Sequence, residues 1–82
     1  MRFIIFNIKL NCYVVVEVKT NTMKVKDCDQ LNFYTSLVDK YIKEANNNKT
    51  IGLLIAKEKN SFVIKYATSK NIFTTTYKLV NN

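Results

Sequence analysis

Hydrophobic and polar residues follow two different periods along the chain. Runs rich in Ile, Phe and Val indicate strands at 2–10 and 12–19, and the short connection at Leu10 and Asn11 favours a tight antiparallel hairpin. From 27 to 45 the period becomes that of a helix, with the apolar positions on one stripe. They are Leu31, Tyr34, Leu37, Val38, Tyr41, Ile42 and Ala45.

Three more strands are predicted after the helix. The run TIGLLIA at 50–56 is typical of a strand buried on both faces, 57–60 reads as a turn, and 61–67 and 72–79 complete the order β-β-α-β-β-β. A helix between the second and third strands allows a right-handed crossover, so these two are expected to be parallel neighbours. The predicted class is α/β, bordering on α+β, with a mixed sheet and one long helix packed on it.

Composition narrows the range of functions. At 82 residues and 48% hydrophobic, the chain is expected to form a single domain over 1–82. The absence of His excludes His-dependent triads and His-ligated zinc, and the single glycine, Gly52, excludes phosphate-binding Gly-rich loops. Cys12 and Cys28 lack CxxC spacing; we interpret them as reduced, buried small hydrophobes, with a disulfide as the alternative.

The net charge of the chain favours a polyanionic partner. Thirteen Lys and Arg against six Asp and Glu give a net charge of +7, which is typical of proteins that meet nucleic acid. A codon-biased genome would also produce this excess, since the lysines are spread over the whole chain. No segment approaches the roughly twenty apolar residues of a membrane span, so a cytoplasmic protein without membrane contact is expected.

Candidate chemistry lies at the end of the second strand. Glu17 and Lys19 stand two apart in YVVVEVK and therefore share a face. An isolated Glu-x-Lys triplet is usually a surface pair worth less than about 1 kcal/mol. Here it is followed by QLNFY with VDK, by TIGLL with KEKN and by TYKL, and this stretch resembles the C-terminal part of the bacterial YhcG-type PDDEXK nuclease domain.

That resemblance covers about Phe3 to Leu79 and implies a truncated restriction-endonuclease-like fold lacking its N-terminal portion. It also implies hydrolysis of phosphodiesters, with DNA as the expected substrate and Mg²⁺ or Mn²⁺ as cofactor. In the family pattern Glu17 and the backbone carbonyl of Val18 bind the metal, and Lys19 orients or activates the attacking water. Hard oxygen ligands and a neighbouring ammonium suit this chemistry.

Other residues match the family less specifically. Gln30 matches a Gln that supports the site from the following helix, and is equally well an ordinary polar helix residue. Lys57 and Lys59 match lysines that contact nucleic acid, and a solvated turn explains them as well. We expect four residues to belong to the core and not to a base-stacking surface: Phe33, Tyr34, Tyr41 and Ile42.

The chain departs from the family pattern at position 2. The family has a metal-binding Asp on the preceding strand, and Arg2 stands in its place. A tight turn at 10–11 would set residue 2 across from Lys19 and residue 4 across from Glu17. The Arg side chain could swing into water but could not replace the ligand, and Asp27 and Asp29 would need an unusual path to reach the site.

The sequence therefore leaves more than one function open. The chain is either a nuclease whose catalysis is impaired, unless a second acid is supplied from elsewhere, or a non-catalytic remnant that binds nucleic acid. A third hypothesis is self-association, with a homodimer formed through the exposed N-terminal strand in MRFIIFNI. Whether the chain is an enzyme is not decided by these patterns.

Overall fold

The fold combines one mixed sheet with one helix. A computed structural model describes residues 1–58, 61–67 and 72–78, with the backbone alone at 58, 66–67 and 72–78. No helix in this part of the chain is long and apolar enough to cross a membrane. The elements are β1 (Arg2–Asn7), β2 (Cys12–Lys19), α1 (Val25–Tyr41), β3 (Ile51–Glu58), β4 (Ser61–Ala67) and β5 (Ile72–Lys78).

The strands of the described residues lie in the sheet in chain order, β1-β2-β3-β4-β5. β2 and β3 are parallel and are joined across α1, and each of the other neighbouring pairs is antiparallel. This confirms the predicted element order, the mixed sheet and the crossover helix. The predicted turn at 57–60 is wrong in its first half, because β3 continues through Lys57 and Glu58, which pair with β4; Lys59 and Asn60 lie outside the described residues.

The hairpin register differs from the prediction by two residues. Arg2 lies opposite Glu17, and Ile4 opposite Val15, because β1 ends at Asn7 and four residues form the loop. The Asn7 side chain accepts the backbone N–H of Leu10 (3.0 Å), and Asn11 adopts φ 49°, a left-handed conformation that asparagine tolerates. Because Asn7 turns the chain, β1 ends earlier than predicted, and every residue pair between β1 and β2 shifts by two positions.

α1 begins earlier and ends earlier than its stripe suggests. It starts at Val25, with Asp27 in the first turn accepting the backbone N–H of Lys24 (2.8 Å). It ends at Tyr41, where the N–H groups of Ile42 and Lys43 both donate to the Val38 carbonyl (2.9 and 2.8 Å). The chain then leaves the helix because polar side chains of the following segment offer its backbone other partners.

An asparagine cluster holds two loops together at one end of the sheet. Asn11 donates through its side chain to the Asn46 carbonyl (2.7 Å) and accepts from the Asn47 side chain (2.9 Å). Asn48 donates from its backbone to the Asn11 carbonyl and from its side chain to the Leu10 carbonyl, both at 2.8 Å. These bonds fix the β1–β2 loop against the α1–β3 loop, at the end of β2 opposite to Glu17.

The core lies on both faces of β2. On the helix side, Val15, Leu31, Val38 and Leu54 are buried together, with Tyr34 and Cys28 packed against them. On the other side, the buried residues are Cys12, Val14 and Val16. Both cysteines are free thiols, and burial raises the pKa of Cys12, with the Asp39 carboxylate adding to the effect.

Three of the aromatic and aliphatic residues predicted for the core lie at the surface. Phe33, Tyr41 and Ile42 are 56%, 71% and 46% exposed, whereas Tyr34 is half-buried against the core. For Tyr41 and Ile42 the reason is that α1 packs on β2 and β3, so its C-terminal end is left beside an open groove next to β1. Phe33 lies off the stripe of α1 that contains the buried Leu31 and Val38. The helical stripe is therefore broader than the surface that α1 buries.

Gly52 lets α1 approach β3 closely. A Cβ atom at this position would lie 2.7 Å from Cγ of Leu31 and 3.0 Å from Cγ2 of Thr35, which is too close for both. Because Leu31 is itself buried, it has little room to move away. The only glycine of the chain thus stands at a close contact between the helix and the sheet.

We predict that Gly52→Ala lowers the free energy of unfolding by about 1–3 kcal/mol through overpacking. Urea denaturation measures this change. In a Leu31→Ala background, which removes the obstructing side chain, the same Gly52→Ala change is expected to cost much less. Equal costs in the two backgrounds would contradict the close contact.

Candidate functional site

The site forms where β2 ends and α1 begins. Glu17 and Lys19 continue the alternation of Val15, whose side chain is in the helix-side core, so both lie on the face that carries α1. Five residues, 20–24, connect the strand to the helix. Such a short loop places the first turn of α1 directly beside the end of β2, and it brings helix side chains to Glu17 and Lys19.

Lys19 is paired with an acid from the helix. Its Nζ lies 2.6 Å from Oδ2 of Asp27, and the two side chains are only 19% and 10% exposed. The expectation that Asp27 would need an unusual path to the strand end is therefore wrong, because the short loop already places it there. The sequence pattern placed Asp27 at the start of the helix, but its contact with Lys19 depends on the path of the loop at 20–24, which hydrophobic periodicity does not predict.

The same contacts shift the titration of Asp27. The hydrogen bond from Lys19 holds its pKa below the ordinary value, the backbone N–H of Lys24 adds to the effect, and burial opposes it. The carboxylate is thus stabilised in its charged form by a side chain that the family pattern assigns to catalysis. Lys19 and Asp27 form one charge-paired unit.

Glu17 is paired with Arg2. Nε of Arg2 lies 2.8 Å from Oε2 of Glu17, and its guanidinium carbon lies 3.7 Å from the centre of the Tyr34 ring. A guanidinium held between a carboxylate and an aromatic face has both ionic and cation–π partners. The side chain has therefore not swung into water, and Tyr34 has a role that the sequence pattern did not indicate.

The carbonyl of Val18 also has a partner. It accepts from the backbone nitrogen of Met1 (2.9 Å), while the Val18 N–H donates to the Met1 carbonyl (2.7 Å). These two bonds extend the β1–β2 ladder by one pair. Both oxygen groups that the family pattern assigns to the metal are thus in contact with the start of β1.

Gln30 lies on the same cleft, whereas Lys57 lies on the other face of the sheet. A narrow cleft, with room for little more than a water molecule, is lined by Arg2, Glu17, Asp27, Gln30, Leu31 and Tyr34. Gln30 is one helical turn beyond Asp27, with its side chain exposed to solvent at the cleft. Lys57 is exposed on the opposite face of the sheet, since it continues the alternation of Leu53 and Ile55, and Lys59 lies outside the described residues.

A mixed sheet with a Glu-x-Lys pair at the end of an inner strand, beside a crossover helix, is consistent with a restriction-endonuclease-like fold. The chain matches the family model described as the YhcG PDDEXK nuclease domain over residues 1–82, its whole length, and belongs to that family. No curated protein and no solved structure matches the chain.

PDDEXK nucleases generally use divalent metal ions, and the present arrangement does not fit one. Such an ion prefers several oxygen ligands, with carboxylates among them. Here the Glu17 carboxylate is neutralised by Arg2 and the Asp27 carboxylate by Lys19. Among the described residues no three acidic or cysteine side chains converge on one point. A guanidinium about 5 Å from a divalent ion would oppose it by roughly 6 kcal/mol at an effective dielectric of about 20.

We predict that the stability of the chain carries a pH dependence from Asp27. Because its folded-state pKa lies below that of an unfolded Asp, about 3.9, the Lys19 pair stabilises the fold above that pH. This contribution is lost as the pH falls through the lower, folded-state value. The difference in unfolding free energy between the native chain and Asp27→Asn should therefore be largest near neutral pH and shrink in acid.

Denaturant titrations at a series of pH values measure this difference. Asp29→Asn is the matched control, since Asp29 is an exposed acid in the same helical turn and is expected to reproduce the native pH profile. A native-to-Asp27→Asn difference that is the same at neutral and at acid pH would show that the ion pair does not contribute to stability.

Proposed function

We propose that this chain is a nuclease-fold domain that binds nucleic acid, DNA being the expected form, and that its metal-dependent catalysis is impaired. Membership of the family supports a nuclease-type function. The observation that carries the impairment is the position of Arg2, directly opposite Glu17 in the hairpin and ion-paired with it. A cation stands where the family has a second metal-binding carboxylate.

The remaining residues of the family pattern lie near one another. Glu17 and Gln30 line one cleft, and Lys19 is paired with Asp27 of the same cleft. By resemblance to the family, we assign metal binding to Glu17, water activation to Lys19 and support of the site to Gln30. The charge of Glu17 is balanced by Arg2, and the charge of Lys19 is balanced by Asp27. A phosphodiester at the mouth of this cleft would meet two ion pairs whose members already have partners. The proposal is therefore a preserved site geometry without the ionic state that hydrolysis needs.

Charge supports the binding part of the proposal. The net charge of +7 on 82 residues favours association with a polyanion, and this attraction does not need the catalytic residues. Lys57, exposed on the sheet face opposite α1, is a candidate phosphate contact; Lys59 is a second candidate from the sequence alone. A protein that binds nucleic acid must be in the compartment that contains it, and we propose that this protein is located in the bacterial cytoplasm.

We predict that the native chain does not cleave plasmid DNA in Mg²⁺ or Mn²⁺. Arg2→Asp should gain cleavage of about tenfold or more above background, because it restores a carboxylate opposite Glu17. Arg2→Gln is the matched control; it removes the guanidinium without supplying a ligand and should stay inactive. Adding Glu17→Gln to Arg2→Asp should abolish the gain.

DNA binding is measured in parallel, by fluorescence anisotropy at low and moderate salt. The native chain and Arg2→Asp should both bind, with an affinity that falls steeply as salt rises, so that absent cleavage is not confused with absent binding. Cleavage by the native chain that disappears in Glu17→Gln would contradict the impairment. Salt-independent or undetectable binding would contradict the nucleic-acid part of the proposal.

A further inference from the structure

β1 has one unpaired edge. It is the outer strand of the sheet in the described residues. Met1 and Val18 form two backbone hydrogen bonds with each other, and this pair fixes which backbone groups of β1 face β2. Bonded and non-bonded pairs alternate along an antiparallel ladder, so residues 3, 5 and 7 also bond to β2. The N–H and C=O groups of Arg2, Ile4 and Phe6 therefore point to the open edge.

The central residues of β1 are apolar and exposed on both faces. Phe3, Ile4, Ile5 and Phe6 are between 41% and 48% exposed. On the helix side, this strand borders an open apolar groove between Ile4 and the last turns of α1. Pro, Lys and acidic residues, which commonly keep an edge strand from pairing, do not occur in β1, and its one charged residue, Arg2, is ion-paired with Glu17. Such an edge is suited to a further strand.

We infer that β1 pairs with β1 of a second copy of this chain, antiparallel and about a two-fold axis at Ile4. A two-fold axis normal to the sheet places the same face of both copies on the same side. Opposed residues must then both be odd-numbered or both be even-numbered, so the residue numbers of each opposed pair add up to an even sum. The outward groups of residues 2, 4 and 6 are symmetric about residue 4. In this register every one of these N–H and C=O groups meets a partner from the second copy.

Side-chain chemistry supports the same register. Ile4 opposes Ile4 of the second copy, Phe3 opposes its Ile5, and Arg2 opposes its Phe6, so no like charges face each other across the new pair. A strand of another protein could also occupy the edge, but β1 is complementary to itself in both hydrogen bonding and charge. The net charge of +7 on each copy opposes association, so the dimer should tighten as salt screens it.

This inference does not depend on the proposed nuclease function. β1 has no acidic residue, so the second copy supplies no carboxylate from this strand to Glu17. The dimer therefore leaves the impairment of the site unchanged. What it adds is one sheet that continues from one copy into the other, with the two Glu17 clefts on the same face.

Sedimentation velocity of the full chain over a concentration series up to about 100 µM tests the pairing, and we expect a dimer in that range. Ile4→Pro removes an N–H that points to the open edge and is not used in the ladder with β2, so it should leave the fold intact and weaken dimerisation at least about tenfold. Ile4→Lys, which places two ammonium groups at the axis, should do the same and serves if Ile4→Pro fails to fold. Circular dichroism verifies folding of each variant.

Ile8→Ser is the matched control, because Ile8 is the most exposed of the large apolar residues and lies beyond the paired segment. It should dimerise as the native chain does. A native chain that is monomeric throughout the series would overturn the inference and assign the edge to another occupant. A dimer that persists in folded Ile4→Lys, or that is lost in folded Ile8→Ser, would overturn it as well.

Discussion

The register between β1 and β2 is the constraint on which the site depends. A four-residue loop, closed by the Asn7 side chain and by the left-handed Asn11, sets Arg2 opposite Glu17. Since opposed residues of an antiparallel pair share a face, the guanidinium is delivered to the carboxylate and to the ring of Tyr34 together. A slip by two residues would have placed Arg2 beside Lys19, where the two cations would repel each other.

The site is organised as two internal ion pairs. Arg2 balances Glu17, and Asp27 balances Lys19, where the end of β2 meets the start of α1. Each pair uses one residue of the Glu-x-Lys element and one from an adjacent structural element. Arg2 is thus integrated into the packing, because its side chain also rests on Tyr34, a helix residue that packs against the core.

The order of the elements could be read from the chain because periodicity reports it directly. The change from period two to a helical period located α1, and the apolar run before Lys57 located β3 as the buried partner of β2. The register could not be read in this way, because it depends on whether Asn7 or Asn11 turns the chain, and both residues favour turns. The contact of Asp27 with Lys19 could not be predicted, because it depends on the path of the loop between β2 and α1. The exposure of Tyr41 and Ile42 depends on how far the sheet extends beneath α1. Family resemblance singled out Glu17, Lys19 and Gln30 as candidates, but the ion pairs of Glu17 with Arg2 and of Lys19 with Asp27 became evident only in three dimensions.

The most direct test of this account is whether the native chain binds a divalent ion at Glu17. Thermal unfolding with and without Mn²⁺, at matched ionic strength, measures binding without relying on cleavage, since an ion bound to the folded state raises the melting temperature. The account predicts no change for the native chain and a Mn²⁺-dependent rise for Arg2→Asp. A rise in the native chain that is lost in Glu17→Gln would contradict it, because the Glu17 carboxylate would then be available to the metal despite Arg2.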